Sequence, residues 1–310
     1  MEETVHQPHA HTHDHTHTHS HGSDHDWEAL GDQLEREAEL HIPAVTEAAH
    51  WLRDLLGLDG GGQTRVGRVL DVGSGPGVAA CLLAAAFPDA EVVAVDQAPG
   101  LLERVRTRAA GLHLADRVAT LRTDLPSGFD SLGSADLIWS GNAIHHLGDQ
   151  QAALAALAAS LRPGGLLAVA ERGLPPRFLP RDIGIGRPGL QARLDAANEE
   201  LFGTMRAQLP GSTETVEDWP AMLARAGLMP SGTRTFLTDL PAPLGRPARE
   251  YLYAQLSRLR DRLGDRLDRE DRETLDLLVD GDARTGIRSR PDAFYLTAIT
   301  VHTARAPRPA

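Results

Sequence analysis

Apolar positions along the chain follow two rhythms. Short apolar runs at 66–72, 91–95, 118–122, 135–140 and 166–170 read as buried strands. Between them, apolar residues recur at helical spacing over 78–87, 101–110 and 150–161. Pro88 ends the first of these helices, Asp149 is placed to cap the third, and Pro163-Gly-Gly165 turns the chain into the fifth strand. Strand and helix alternating on this scale predict parallel βαβ units with helices on both faces of a sheet. After Glu171 the alternation lapses. Residues 173–189, rich in Pro, Gly and Arg, read as a loop. Helices are predicted over 190–209, 219–226 and 247–263 and after Asp268, with strands at 233–240 and 294–301. Upstream, 27–57 reads as two helices. Trp27, Leu30 and Leu34 mark the first; Pro43 opens the second, which aligns Val45, Ala49, Leu52 and Leu56 on one face and stops at Gly57.

Composition narrows the class. The 310 residues are 41% hydrophobic and 24% charged, as in a globular protein, and aromatics are only 4%, so the core must be built mainly of Leu, Val and Ala. A net charge of −12 argues against a nucleic-acid partner. The mixed-sign charges over 258–276 read as a solvated helical face. No apolar run approaches the roughly 18 residues of a spanning helix, and no signal-peptide core is seen, which predicts a cytoplasmic protein with no membrane partner. One cysteine, Cys81, leaves no intrachain disulfide and no cysteine zinc site. Nine of the 15 histidines lie in residues 1–26, alternating with Thr, Ser, Asp and Ala. That segment reads as a disordered, solvated tail able to take up a divalent metal incidentally. The expected organisation is thus a tail at 1–26, N-terminal lid helices at 27–62, and one α/β domain at 63–310 with helical insertions at 173–215 and 241–290.

The chemistry concentrates on Arg68-Val-Leu-Asp-Val-Gly-Ser-Gly-Pro-Gly77, a strand running into a glycine turn and then a helix. Such a turn lets a ligand touch bare backbone, and the helix start supplies free N–H groups. Asp96, closing the second strand, suits a pair of ribose hydroxyls. The glycines follow G-x-G-x-G, not the dinucleotide G-x-G-x-x-G, because Val78 stands at the last position.

At this point the sequence resembles the class I S-adenosylmethionine-dependent methyltransferases. Asp71-Val-Gly-Ser-Gly-Pro-Gly77 is similar to their first motif. Asp96, Asp124-Leu125, Asp136-Leu-Ile-Trp-Ser140, Asn142-Ala-Ile-His-His-Leu147 and Arg162-Pro-Gly-Gly165 follow in the family's order. The resemblance is strong over 65–172 and topological over 216–303. It implies a Rossmann-like doubly wound α/β sheet of seven strands, the last antiparallel, with extra lid helices. It also implies S-adenosyl-L-methionine as cofactor and a small-molecule acceptor methylated at oxygen or nitrogen. By the same resemblance, Gly73, Ser74, Gly75 and Gly77 form the turn against the cofactor, and Asp71 orients its amino group through water. Asp96, with Gln97 beside it, holds the ribose; Asp124 and the Leu125 N–H meet the adenine; the Ser140 carbonyl faces the amino group and sulfonium. His145 and His146 are the candidate general bases by position, against a packing or capping role for the pair, and only one of two adjacent residues is expected to act. Glu171 and Arg172 suit either a polar substrate or an ion pair. The helical pair at 247–280 suits a pocket wall or a homodimer surface. Two other classes stay open: a ligand- or metal-binding protein on this fold, and a nicotinamide or flavin oxidoreductase.

Overall fold

The computed structural model describes residues 27, 29–57, 65–281 and 283–308. The His-rich segment 1–26 lies outside them. Two helices come first, α1 (Gly31–Leu40) and α2 (Ile42–Leu55). The alternating half follows as β1 (Arg68–Val72), α3 (Val78–Ala86), β2 (Glu91–Asp96), α4 (Pro99–Gly111), β3 (Val118–Arg122), β4 (Ala135–Gly141), α5 (Gln150–Ala159) and β5 (Leu161–Arg177). The chain ends as α6 (Leu190–Gln208), α7 (Trp219–Arg225), β6 (Met229–Leu240), α8 (Arg246–Leu263), α9 (Arg269–Leu278) and β7 (Tyr295–Arg305).

The seven strands form one sheet in the order β3-β2-β1-β4-β5-β7-β6. β1 to β5 pair in parallel, and β7 runs antiparallel to both β5 and β6. The seven-stranded, doubly wound expectation therefore holds. The strand order reverses between β1 and β4, which is where open α/β sheets leave a ligand crevice at their carboxyl ends.

Strand side chains alternate between the two faces. Val69, Val92, Leu137, Leu166 and Ala168 point into a core completed by Leu52 of α2, Leu83 of α3 and Val105 of α4. Leu70, Val93, Ile138, Leu167 and Val169 point into the other core, with Leu154 and Leu157 of α5 and Met222 and Leu223 of α7. A third core, separate from the sheet faces, joins α6, α8 and α9 around Tyr251, Leu252, Leu256, Leu275 and Tyr295.

Two expectations change. β5 is much longer than 166–170: it takes in Leu161, assigned by periodicity to the preceding helix, and continues through 173–177, expected as loop. Pairing with β7 carries this extension out to Arg177 opposite Leu296, with register shifts that absorb Gly173, Pro175 and Pro176. The helices of 27–57 do not act together as a lid. α2 lies on the sheet face beside α3, because its Ala44, Ala48, Leu52 and Leu56 stripe is buried there.

The third core is fastened by Asp271. Its carboxylate takes two bonds from Arg193, Nε at 2.6 Å and Nη2 at 2.7 Å, and one from Arg187 at 3.0 Å, so α9 is pinned to α6 and the segment before it. Asp268 caps α9 by accepting the Asp271 N–H at 2.9 Å, as its position in the sequence predicts. The Arg193 hydrogen bonds hold the Asp271 carboxyl below its ordinary value against the opposing effect of burial. A depressed carboxylate lends stability that is fully present above its unfolded value, about 4, and lost as the pH falls through its folded value. Asp271→Asn is expected to lower unfolding free energy by about 1–3 kcal/mol at neutral pH, and the difference from wild type should shrink in denaturant titrations as the pH approaches 3. An undiminished difference at low pH would show that the carboxylate charge is not what matters.

Candidate active site

The glycine turn is stitched to the neighbouring strand before any ligand is considered. Gly73 and Ser74 both donate N–H bonds to the Val95 carbonyl, at 2.9 and 3.0 Å. Gly75 donates to Asp96 Oδ2 at 2.9 Å, and Ala98 donates to Asp96 Oδ1 at 3.0 Å. Gly73 has φ +74° and a Cβ there would fall 2.4 Å from Ala143 Cβ, so the turn and the loop after β4 touch through a position only glycine fills. Gly77, at φ +80°, begins α3 against Val105 of α4. At Gly75 no atom lies within 4 Å of a Cβ, which marks open space beside bare backbone.

Two buried side-chain oxygens at this turn have no hydrogen-bond partner among the described residues. Asp71 is 1% exposed with Oδ2 unpaired, and Ser74 Oγ is likewise buried and unpaired. Burial, with help from the Asp96 charge, pushes the Asp71 carboxyl up to about 7 despite a bond from the Ala80 N–H. Burial also raises Asp96, opposed by the N–H groups of Ala98, Gly75 and Gln97. A buried polar atom without a partner costs about 1–3 kcal/mol, so these atoms fit a site shaped for a polar ligand. A carboxylate has about four acceptor positions, and Asp96 therefore keeps acceptor capacity beyond the bonds from these three N–H groups.

Asp124 is exposed and Leu125 half-buried, following β3 as expected. Gln97 joins β2 to that position: with its amide turned to satisfy both ends, it donates to Asp124 Oδ1 and accepts from Trp27 Nε1, each at 3.1 Å. Trp27 in turn meets the His146 ring edge-on at 4.9 Å. Trp27 thus belongs to the site, not to the packed face of a first helix, since α1 starts only at Gly31. Only its place before the first motif hinted at this, because helical spacing explained it equally well. Ser140 is fully buried and its hydroxyl donates to the Val72 carbonyl at 3.0 Å, which locks β4 to β1 at the crevice.

The two histidines part company. They share a short 3₁₀ turn, Ile144–His146, with ring centroids 4.2 Å apart. His145 is 6% exposed and its Nδ1 lies 2.7 Å from Glu171 Oε2, while His146 is half-buried against Trp27. Glu171 is itself 4% exposed, and its Oε1 has no partner. Because an ionised carboxylate only accepts, the pair makes Nδ1 the protonated nitrogen of His145 and leaves Nε2 with the lone pair. Arg206 of α6 fixes the turn by donating to the carbonyls of His145 (2.6 Å) and Leu147 (2.7 Å). Of the two uses expected of Glu171, a polar substrate or an ion pair, its Oε2 is taken up instead by the hydrogen bond with His145. Arg172 points the other way, pairing with Glu199 at 3.0 Å and lying 4.6 Å from the centre of the Phe202 ring. α6 therefore packs against the turn that carries the two histidines.

Residues 70–167 match the family model of the methyltransferase domain. The chain is 32% identical over 193 residues to a trans-aconitate 2-methyltransferase of Methylobacterium nodulans, covering 56% of this chain and 71% of that protein. It is 41% identical over 105 residues to a malonyl-[acyl-carrier protein] O-methyltransferase of Dechloromonas aromatica, covering 34% of this chain and 36% of that one. Among solved structures, an O-methyltransferase family protein from Burkholderia thailandensis superposes with a TM-score of 0.49 at 15% identity, over 92% of this chain and 60% of that chain. The domain match and the trans-aconitate methyltransferase relative define a class: the chain belongs to the class I S-adenosylmethionine-dependent methyltransferases. It is an enzyme of methyl transfer.

The charge on Asp71 gives a measurable signature. An acid whose folded value is raised favours folding fully below its unfolded value, and that contribution is lost as the pH rises through about 7. The Tm of ligand-free Asp71→Asn, minus that of wild type, is expected to rise by a few degrees between pH 5 and pH 8. A constant difference across that range would mean that Asp71 is ionised throughout.

Proposed function

We propose that this enzyme transfers a methyl group to an oxygen or nitrogen of a small-molecule acceptor, with His145 as the general base. The observation that carries the reading is the meeting of two features at one crevice: unpaired, buried Asp71 and Ser74 atoms at an open glycine turn, and a buried His145–Glu171 pair at the next strand ends. S-adenosylmethionine, when bound, supplies a methyl group on a positively charged sulfur. The residues suited to hold it are Asp71, Gly73, Ser74, Gly75 and Gly77 on the methionine side, Asp96 and Gln97 at the ribose, Asp124 and Leu125 at the adenine, and Ser140 between the two halves. Trp27 covers Gln97 and Asp124 and helps exclude water.

The acceptor needs alignment and loss of a proton. Glu171 holds the Nδ1–H of His145, so Nε2 is the atom that takes the proton, and Glu171 stabilises the imidazolium that results. Phe202, 5.5 Å from the His145 ring, gives that ring an apolar neighbour. His146 is a wall residue in this reading. The name of one relative supports an oxygen nucleophile; the oxygen that His145 serves is a hydroxyl, because an ionised carboxyl carries no proton to remove. A cytoplasmic location belongs to the same proposal; no helix among the described residues is long and apolar enough to cross a membrane.

Calorimetry with S-adenosylhomocysteine and NADH tests the donor site. Binding of the former alone is expected, and Asp96→Ala should weaken it about tenfold or more; binding of NADH alone would overturn the assignment. For the base, His145→Gln is expected to lower kcat by about 10²–10⁴-fold with an established acceptor, and Glu171→Gln to lower it less while moving the pH profile. Full turnover by His145→Gln at every pH would remove His145 from the chemistry.

A further inference from the structure

One face of α6 tracks the end of β5 and the turn that carries the histidines. Gln191, Asp195, Glu199, Phe202 and Arg206 recur at four, four, three and four residues and so share that face. Gln191 Oε1 accepts the N–H groups of Phe178 and Leu179, at 3.1 and 3.2 Å. Asp195 accepts from Arg177 at 3.1 Å, and Glu199 from Arg172 at 3.0 Å. Phe202 stands 4.6 Å from the Arg172 guanidinium and 5.5 Å from the His145 ring. Arg206 comes last, at the histidine turn. The buried anchors of α6 all lie at its start: Leu190, Gln191 and Leu194 are buried, and no residue of the helix after Leu194 is. Its C-terminal half is placed by the polar and ring contacts just described.

The turn at Ile144–His146 leaves two carbonyls for an outside donor. Its own backbone bonds run from the N–H groups of His146 and Leu147 to the carbonyls of Ala143 and Ile144. The carbonyls of His145 and Leu147 are left over, and a single Arg206 nitrogen, Nη1, donates to both, at 2.6 and 2.7 Å. No carboxylate pairs with this guanidinium among the described residues, and a guanidinium keeps its charge at any working pH. Hydrogen bonds from a charged donor are about twice as strong as neutral ones, so the main chain is held on both sides of His146. The chain after α6 closes the same contact. Ser212 Oγ donates to the Arg206 carbonyl at 2.9 Å, and the Thr213 N–H donates to the Gly148 carbonyl at 3.2 Å. A Cβ at Gly148 would fall 2.1 Å from the Pro210 carbonyl oxygen, so the two segments meet at a place only glycine allows.

The 2.7 Å contact between His145 and Glu171 joins two unequal supports. Glu171 sits within β5 and pairs with Thr300 of β7. His145 sits on a 3₁₀ turn of three residues, a geometry with poorer hydrogen bonds than a strand ladder. The turn is therefore the softer member, and whatever fixes it decides where the imidazole stands.

We propose that Arg206 is a positioning residue for methyl transfer: through the main chain of the turn it sets the His145 ring against Glu171, and the C-terminal half of α6, seated on Gly148, is the clamp that delivers it. This rests on the reading of His145 as the base. The test is proton NMR on full-length protein saturated with S-adenosylhomocysteine. A histidine Nδ1–H bonded to a carboxylate gives a far-downfield resonance, assigned to His145 by its loss in His145→Gln. In Arg206→Gln that proton should exchange with solvent about tenfold faster or broaden away, at unchanged S-adenosylhomocysteine affinity. Arg206→Lys, which keeps the charge, should fall between that variant and wild type, and free guanidinium ion should restore the resonance in Arg206→Ala. Gly148→Ala, which forces Pro210 away from the turn, should reproduce the Arg206→Gln effect. With an established acceptor, kcat of Arg206→Gln should fall about 10–100-fold while KM changes less than about twofold. An unchanged resonance in both Arg206→Gln and Gly148→Ala, a fall in kcat with the resonance unchanged, or a parallel loss of S-adenosylhomocysteine affinity would overturn the assignment. Full turnover by His145→Gln would instead overturn the reading of His145 as base, with the effect of Arg206 on the resonance still in place.

Discussion

The crevice depends on one small set of backbone bonds, those that tie the turn after β1 to the end of β2. Gly73 and Ser74 give both N–H groups to Val95, and Asp96 takes the next one, from Gly75. With these bonds made, the turn has no freedom to relax onto the buried Asp71 carboxylate, which is left half-satisfied with its Oδ2 open. The Gly73–Ala143 contact then passes the position of the turn to the loop after β4, and that loop carries His145. The glycine turn and His145 are placed by one chain of contacts, none of which requires a ligand.

Unsatisfied polarity is the second organising theme. Native interiors pair nearly all their polar groups, and in this protein the buried atoms without partners include Asp71 Oδ2, Ser74 Oγ, Glu171 Oε1, Gln33 Nε2 and Oε1, and Gln255 Oε1. The first three belong to elements that meet at the carboxyl ends of β1 and β5, and the others lie on α1 and α8. Apolar packing supports both regions from outside: the two sheet cores below, and the α6, α8 and α9 core beside α1.

The central strands and the order of motifs were legible in the sequence because each was written in local terms: a run of Val and Leu, a glycine pattern, a carboxylate at a strand end. What was not legible depended on distant pairing. Pro175 and Pro176 look like loop until β7 lies alongside them. Trp27 and Leu30 share helical spacing, yet Trp27 lies before the helix and is held by Gln97, far along the chain. The mixed charges over 258–276 read as a solvated face, and Asp261, Arg262, Asp265 and Arg266 are exposed as expected, while Arg258 is half-buried. His145 and His146 were equivalent as a dipeptide; Glu171 distinguishes them.

α1 has a consequence beyond its packing. Trp27, a few residues before its first turn, rests on the donor side of the crevice, while Glu37 acts on Arg258 of α8. One short helix thus joins the glycine-turn side of the crevice to the helices α6, α8 and α9. Any tilt that draws Trp27 down on a ligand in the crevice also shifts that contact, and thermodynamic reciprocity makes the influence equal in both directions. Loosening α8 would then weaken such a ligand by the same free energy with which the ligand steadies α8.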